Sequence, residues 1–284
     1  MKHRVGLIGW PVEHSISPAM HQAAFRATGL SDWQYELLPT PPAELPTRLK
    51  SLASTAYTGA NVTIPHKQAV IPLLSTISMA ARGIGAVNTI MFHDGRSEGH
   101  NTDSVGFMLD LAANGIQVYQ KRALVLGAGG AAHAVVTGLA NRGAHVVLMA
   151  RRDQQAWQLR ENVRRAISRQ LQIEVQPVSA LGHVAATVDL IVNCTPLGMW
   201  PEVDASPWPE TVPMPADVVV YDLIYRPLMT RFMARAQAAG ARVLGGIGML
   251  VQQGAAAFEL WTGQQAPVSV MYKAARQALS QATE

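Results

Sequence analysis

The stretch "GAGGAA" at residues 127–132 contains three glycines and three alanines. It follows an apolar strand-like run and opens a helix-like run. The stretch matches the template G-x-G-x-x-A with Gly127, Gly129 and Ala132, in the strand-turn-helix context that the dinucleotide fingerprint requires. Glycine lets the backbone approach a pyrophosphate, and the N-terminus of a helix supplies amide donors. A tight turn without a ligand is the alternative. We predict that the dinucleotide-binding turn comprises Gly127, Ala128, Gly129, Gly130 and Ala131.

The choice between NAD and NADP depends on the residues about 20 positions later, where NAD sites carry an acid for the ribose 2′-hydroxyl. Here the sequence is "ARRD". Ala150 cannot accept that hydrogen bond, whereas the guanidinium groups of Arg151 and Arg152 suit a 2′-phosphate. We therefore predict NADP. Asp153 leaves NAD use open, because a small shift of the loop lets its carboxylate reach the 2′-hydroxyl, and a solvated turn is the alternative without a ligand.

Two serines in "EHSISPAMH" are candidates for binding a carboxylate. Ser15 and Ser17 are two residues apart, so in an extended segment their hydroxyls point the same way. Pro18 suits the first turn of a helix, and two hydroxyls beside a helix N-terminus would suit an anion. The alternative is that Ser17 is simply the N-cap of that helix.

Three further polar residues lie where strands end or helices begin. Lys67 follows the strand-like run in "NVTIPHK", Asn88 lies in "GAVNT", and Asp103 lies in "NTD" before a helix. Each also has an ordinary role: a solvated lysine, a turn residue and an N-cap. Their occurrence beside a predicted nucleotide domain favours a substrate site in the first hundred residues.

The elements that carry these residues alternate between strands and helices, which indicates an α/β fold. The first part is predicted to contain a helix over residues 18–29 and strands over 4–9, 33–39, 59–65 and 86–93. The second part has a strand, the glycine turn and a helix over 122–143, which predicts a Rossmann-like, doubly wound domain. Its later strands are predicted over 144–150, 187–195 and 216–225, and a helical segment follows over 248–263.

Composition limits the classes of function. The 284 residues are 49% hydrophobic and 15% charged with a net charge of +4, which predicts a compact protein of two domains. The absence of a basic block argues against nucleic acid, and no run reaches the roughly 18 apolar residues of a membrane helix. The N-terminal apolar stretch is too short for a signal peptide. A lone cysteine, Cys194, fits a reducing compartment, so we expect a cytoplasmic protein. The histidine spacing predicts no metal site.

The whole set of motifs resembles the shikimate dehydrogenase family. The motifs occur in the family's order and spacing from residue 6 to about residue 263: "GWPVEHSISPAMH", "NVTIPHK", "GAVNT", "NTD", "GAGGAA", "NCTPLGM" and "GIGMLVQQ". The resemblance implies a substrate domain over 1–104, which binds shikimate or 3-dehydroshikimate, and an NADP-binding Rossmann domain over 105–245. It also implies that C-terminal helices over 246–284 return to the substrate domain.

The resemblance further implies roles for individual residues. Lys67 and Asp103 correspond to the catalytic pair, and Ser15 and Ser17 to the carboxylate contacts, with Tyr225 nearby. The remaining substrate-site positions implied are Asn61, Thr63, Asn88 and Gln253. Leu223 and Gly246 correspond to positions near the nicotinamide. The "ARRD" stretch departs from the "NRT" of NADP-specific members and resembles members that accept both cofactors and also quinate.

These residues suit a hydride transfer without metal. As hydride reaches a ketone carbon, an ammonium such as that of Lys67 can stabilise and protonate the oxygen, and Asp103 can hold the lysine in place. We expect a dehydrogenase for 3-dehydroshikimate and shikimate, in chorismate and aromatic amino-acid biosynthesis, acting as a monomer or homodimer. The alternatives are a quinate/shikimate dehydrogenase using NAD or NADP, and a non-catalytic metabolite sensor on the same fold.

Overall fold

The computed structural model describes residues 2–281, so Met1 and residues 282–284 of the predicted domains lie outside it. The chain forms two units. The first contains the described residues up to Gly106 and those from Val251 onward, and the second is Phe107–Leu250. Both changes of unit fall inside helices, a few residues after the predicted boundaries at 104 and 245. A helical pattern in a sequence does not show where packing partners change, which explains the difference.

The first unit is built on a six-stranded mixed sheet with the order β2-β1-β3-β5-β6-β4. β1 pairs in parallel with β2 and β3, whereas β5 is antiparallel to β3 and β6. Its strands are β1 (His3–Gly9), β2 (Trp33–Pro39), β3 (Tyr57–Val62), β4 (Thr76–Ile77), β5 (Thr89–His93) and β6 (Arg96–His100). Its helices are α1 (Ser17–Ala27), α2 (Leu45–Ala53), α3 (Met79–Ile84), the start of α4 (Asp103–Ala113), most of α9 (Ile247–Thr262) and α10 (Val268–Gln281).

The predicted strands over 59–65 and 86–93 are longer than the observed β3 and β5. β3 ends at Val62, before Pro65, which has no amide hydrogen for a ladder. The residues before Thr89 bond elsewhere, since the Val87 amide donates to the carbonyl of Lys67 at 2.8 Å. Lys67 and Asn88 therefore lie in loops, the first after β3 and the second just before β5.

The C-terminal helices pack on the first unit, as expected. α10 lies against α1, and the indole Nε1 of Trp261 on α9 donates to the carbonyl of Ile90 in β5 at 3.1 Å. Phe25 of α1 stacks on Phe258 of α9 with ring centroids 5.5 Å apart. The chain thus returns to its first sheet after completing the second unit.

The second unit has the predicted doubly wound architecture. Its six strands are all parallel, in the order β12-β11-β10-β7-β8-β9, which is the Rossmann order. Apolar side chains cover both faces of the sheet. Its strands are β7 (Arg122–Leu126), β8 (His145–Met149), β9 (Ile173–Val175), β10 (Leu190–Asn193), β11 (Val219–Asp222) and β12 (Arg242–Gly245). Its helices are α5 (Gly130–Asn141), α6 (Asp153–Ala166), α7 (Leu181–Ala185) and α8 (Arg231–Ala238), together with parts of α4 and α9.

Candidate active site

Lys67 and Asp103 form an ion pair in the first unit. The Nζ of Lys67 lies 2.6 Å from Oδ2 of Asp103, and their side chains are only 18% and 6% exposed. Lys67 follows a turn in which the His66 amide donates to the carbonyl of Thr63 at 2.8 Å. The buried ring of His66 contacts the carbonyl oxygen of Thr40 through Nε2 at 2.7 Å. The turn thereby holds the lysine beyond the end of β3.

Asp103 is not an ordinary N-cap, the alternative raised by the sequence. It is the first residue of α4, and the side chain of Asn101 accepts hydrogen bonds from the amides of Asp103 at 3.1 Å and Ser104 at 3.4 Å. Because Asn101 caps the helix, the carboxylate of Asp103 is available for Lys67. A negative charge at a helix N-terminus is also favourable.

Asn88 holds the other oxygen of this carboxylate. Its Nδ2 lies 2.9 Å from Oδ1 of Asp103, 2.9 Å from Oγ1 of Thr102 and 3.2 Å from Oε1 of Gln253. Its Oδ1 accepts from the Thr102 amide at 2.7 Å, which fixes the orientation of the side chain. An amide nitrogen carries two hydrogens for these three acceptors, so one acceptor remains suited to a ligand hydroxyl.

Ser15 and Ser17 lie side by side, as predicted. The hydroxyl of Ser15 donates to Oγ of Ser17 at 3.1 Å. The N-cap position of α1 is Ile16, whose side chain makes no capping hydrogen bond, and the hydroxyl of Ser15 accepts from the Ser17 amide at 3.3 Å. The capping role considered for Ser17 is therefore incorrect: Ser17 is the first helical residue, and its hydroxyl is paired with Ser15 instead. Two adjacent hydroxyls at a helix start suit a carboxylate.

Asn61 and Thr63 lie at and just beyond the end of β3. The buried Nδ2 of Asn61 donates to Oγ1 of Thr89 at 3.1 Å, and its Oδ1 accepts from the hydroxyl of Tyr35 at 2.8 Å. Thr63 is half-buried, and its amide donates to the carbonyl of Ile8 at 2.8 Å. Hydrogen bonds thus join Asn61 and Asn88 to Tyr35, Thr89 and Thr102, none of which was assigned to the site from the sequence. Only their presence in or beside quoted motifs could have indicated Thr89 and Thr102.

The predicted dinucleotide turn lies between β7 and α5 in the second unit. Gly127 has a φ of +107°, in the region that favours glycine. Gly129 is the N-cap of α5 with no side-chain hydrogen bond, and a Cβ placed on it would meet no atom within 4 Å. The first amides of α5 have no side-chain cap, and the Cβ position of Gly129 is uncrowded, an arrangement that fits a pyrophosphate. Ala128, Gly130 and Ala131 complete this turn.

The "ARRD" stretch follows β8, the strand beside β7. Ala150 is buried at its start, whereas Arg151, Arg152 and Asp153 are exposed. Arg152 is the N-cap residue of α6, and Asp153 is the first helical residue. The amide of Gly127 donates to the carbonyl of Met149 at 2.7 Å, which keeps the turn next to this stretch. The charges needed to read a ribose 2′-substituent are thus presented near the dinucleotide turn.

Leu223 and Gly246 are held in contact at the ends of β11 and β12. A Cβ on Gly246 would lie 1.9 Å from the carbonyl oxygen of Leu223, so no larger residue fits without a backbone shift. Beside them the carboxylate of Asp222 accepts from Nδ2 of Asn193 at 3.0 Å and from the hydroxyl of Thr230 at 2.7 Å. Burial raises the pKa of Asp222 to about 6. This network makes the backbone at Leu223 rigid.

Tyr225 lies in the second unit, just beyond β11. The pKa of its phenol is raised because the group is removed from solvent. Its proximity to the carboxylate contacts, implied by the resemblance, remains a prediction.

The described residues show neither a metal-binding cluster nor a membrane-spanning helix. Residues 2–281 contain no group of three or more His, Cys, Asp or Glu side chains that could hold a metal ion. None of the helices described is long and apolar enough to cross a membrane.

Comparison with known proteins places these features in one family. Residues 7–90 match the shikimate dehydrogenase substrate binding domain, residues 110–197 match shikimate / quinate 5-dehydrogenase, and residues 246–276 match the shikimate 5′-dehydrogenase C-terminal domain. A relative from Symbiobacterium thermophilum, named shikimate dehydrogenase (NADP(+)), is 43% identical over 97% of this chain and 94% of its own length.

Solved structures agree over nearly the full length. Shikimate 5-dehydrogenase from Thermus thermophilus, in complex with NADP(H) and shikimate, is 41% identical with a TM-score of 0.88, covering 98% of this chain and 100% of that one. Quinate dehydrogenase from Corynebacterium glutamicum, in complex with NAD, is 30% identical with a TM-score of 0.89, covering 97% and 99%. On the evidence of both its sequence and its fold, the chain belongs to the shikimate dehydrogenase family.

Proposed function

We propose that this protein catalyses the NADP-dependent interconversion of 3-dehydroshikimate and shikimate. The observation that carries the proposal is the buried pair of Lys67 and Asp103, 2.6 Å apart, surrounded by amide and hydroxyl side chains. The relative at 43% identity, named shikimate dehydrogenase (NADP(+)), supports the same activity along nearly the whole chain.

The cofactor part of the proposal rests on the second unit. A nicotinamide cofactor held there would provide the hydride chemistry for the ketone and, in reverse, for the alcohol. The uncapped amides at the start of α5 would bind the pyrophosphate, with Gly127 allowing the close approach. Arg151 and Arg152 would bind the 2′-phosphate through guanidinium groups that are already exposed.

The proton in this reaction would move through Lys67. As negative charge develops on the ketone oxygen, the ammonium group stabilises it and donates a proton to it. In the oxidation of the alcohol, the neutral amine takes the proton from the hydroxyl. Asp103 holds Nζ at 2.6 Å and is itself held by Asn88 at 2.9 Å, so the amine has little freedom to leave its position.

Recognition of the ring would use groups on both sides of this pair. Ser15 and Ser17 present adjacent hydroxyls for the carboxylate of the substrate. The ring hydroxyls would be bound by Thr63, Asn88, Asp103 and Gln253, with Asn61 beside them. A site that pairs substrate hydroxyls rejects analogues lacking them by about 10⁴-fold or more, because its own polar groups are then left unpaired.

The cellular setting follows from this activity. We place the reaction in the route to chorismate and the aromatic amino acids. The lone cysteine suits a reducing compartment, and we propose a cytoplasmic monomer or homodimer that uses no nucleic-acid or membrane partner.

The test is a set of initial rates with shikimate and with quinate, each paired with NADP⁺ and with NAD⁺. Turnover confined to shikimate with NADP⁺ is the expected result. Comparable rates with quinate or NAD⁺ would contradict the proposed selectivity and implicate Asp153, which is exposed at the start of α6. No turnover in any of the four mixtures would refute the enzyme assignment and leave a metabolite sensor.

A further inference from the structure

A run of buried hydrogen bonds in the first unit leads from Tyr35, near the serine pair, to the carboxylate of Asp103. At its centre, the hydroxyl of Tyr35 donates to Oδ1 of Asn61 at 2.8 Å. On one side, Ser15 donates to Ser17 at 3.1 Å. On the other side, Nδ2 of Asn61 donates to Oγ1 of Thr89 at 3.1 Å. Tyr35 thus lies between two groups of residues that serve different parts of the substrate.

The run continues from Thr89 to the carboxylate. The hydroxyl of Thr89 donates to Oδ1 of Asn88 at 3.1 Å, and Nδ2 of Asn88 donates to Oδ1 of Asp103 at 2.9 Å. Lys67 holds the second oxygen of the same carboxylate at 2.6 Å. All these donors point towards the negative charge, an arrangement in which buried hydrogen bonds strengthen one another.

Tyr35 connects this run to the serines. Ser17 lies near the phenol of Tyr35, and its hydroxyl opposes the upward shift that burial gives to the pKa of the phenol. Tyr35 is only 5% exposed. Its phenol therefore stays protonated and donates a hydrogen bond to Asn61.

His21 fixes the ring of Tyr35. The two rings are stacked with centroids 4.5 Å apart and planes 5° from parallel. His21 lies on α1 four residues after Ser17, hence on the same face of the helix one turn later. Trp261 of α9 packs against both rings, with its ring centroid 5.5 Å from that of His21 and 6.3 Å from that of Tyr35. This ring packing and the hydrogen bond to Asn61 together orient the Tyr35 hydroxyl.

We infer that Tyr35 is a positioning residue for the reaction, which sets the spacing between the serine hydroxyls and the Asn61–Asn88–Asp103 cluster. The inference rests on the proposed function, because it assigns the serines to the carboxylate and the cluster to the ring. A substrate that carries both groups is then held at two points whose separation is fixed by one buried phenol.

The test begins with Tyr35→Phe, which removes the hydroxyl and keeps the stacking on His21. Leaving Asn61 without this donor, and Ser17 without the neighbouring phenol, should raise the KM for shikimate about tenfold. The kcat should change less than about threefold, because the contact of Lys67 with Asp103 is retained. The KM for NADP⁺ should be unchanged. A general loss of folding would instead lower the active fraction without this split between KM and kcat.

Tyr57→Phe is the matched control. Its hydroxyl donates to Oε2 of Glu36 at 2.9 Å in the same sheet, and the ring is similarly buried. This variant loses one hydrogen bond but should keep the wild-type KM and kcat. Equal kinetics for Tyr35→Phe and Tyr57→Phe would overturn the inference.

A double-mutant cycle shows whether Tyr35 acts through Ser17. If it does, Ser17→Ala combined with Tyr35→Phe should lose less in kcat/KM than the product of the two single losses. Multiplicative losses would mean that Tyr35 does not position Ser17, which overturns the inference. An inactive wild-type protein would refute the proposed function itself, whereas an active one with an unaffected Tyr35→Phe variant would refute the inference alone.

Discussion

The buried histidine beneath the serine pair should make the protein sensitive to acid. His21 is fully buried, and neither ring nitrogen has a hydrogen-bond partner among the residues described. Burial lowers its pKa from 6.5 to about 3. The perturbation we propose is His21→Leu, which removes the titrating group while keeping an apolar side chain of similar volume.

The magnitude follows from proton linkage. Between its folded pKa of about 3 and its unfolded value of 6.5, His21 binds a proton in the unfolded chain but not in the folded one. Stability therefore rises with pH in this window, and it is lost as the pH falls below the unfolded value. From about pH 8 to about pH 5 the loss is about 2 kcal/mol, since each pH unit below the unfolded pKa costs about 1.4 kcal/mol.

Urea unfolding of the wild type and of His21→Leu at both pH values measures this difference. The loss of stacking on Tyr35 affects the variant equally at both pH values, so it cancels. Asp222 has a pKa raised from 3.8 to about 6, so between these values its contribution to stability falls as the pH rises, opposite to that of His21. Both proteins carry Asp222, so this contribution cancels in the comparison. Between about pH 8 and about pH 5, the free energy of unfolding of the variant should rise by about 2 kcal/mol relative to that of the wild type. An identical pH dependence for the two proteins would show that His21 is hydrated or charged in the fold. The control is His93→Gln, which removes a histidine whose side chain is 88% exposed.

Three further changes have defined outcomes. Lys67→Ala should lower kcat roughly 10²- to 10⁴-fold, as expected for a lost general acid, with NADPH binding by fluorescence nearly unchanged; near-normal turnover would remove Lys67 from the mechanism. Arg151→Ala with Arg152→Ala should weaken NADP⁺ binding about tenfold to a hundredfold and leave the Kd for NAD⁺ nearly constant, because the lost bonds are to a charged phosphate. Equal losses for both cofactors would mean that the pair does not read the 2′-phosphate. Gly246→Ala should destabilise the second unit by about 1–3 kcal/mol, because the new Cβ meets the carbonyl of Leu223 rather than a flexible side chain; an unchanged Tm would show that this turn adapts.

Much of the site was readable from the sequence because its residues lie at the ends of strands. Lys67 follows β3, and the dinucleotide turn follows β7, so a run of apolar residues followed by glycine or a charge marks each place. The parallel sheet of the second unit brings the glycine turn beside "ARRD" without any long-range information, since β7 and β8 are consecutive strands. Residue type and position were enough to predict an anion site, whereas the role of Lys67 as proton donor came from the resemblance to the family.

Contacts between distant parts of the chain could not be read in the same way. Tyr35 looked like an ordinary alternating strand residue, and only the fold places its hydroxyl against Asn61, 26 positions later. β6, with the sequence "RSEGH", has no apolar alternation, and it forms because β5 offers an edge for pairing. The capping role considered for Ser17 depended on a helix start that moves by one residue, which local sequence does not determine.

The second unit is inserted within the first, and this has a consequence for synthesis. During synthesis, Lys67 and Asp103 leave the ribosome first, followed by the whole second unit. Gln253 and α10, the helix that packs on α1, emerge last. The cofactor unit can therefore fold while the substrate unit still awaits its last two helices. A chain cut short after Leu250 would contain a complete dinucleotide turn beside an unfinished substrate site, and would be a target for chaperones and proteases rather than a partial enzyme.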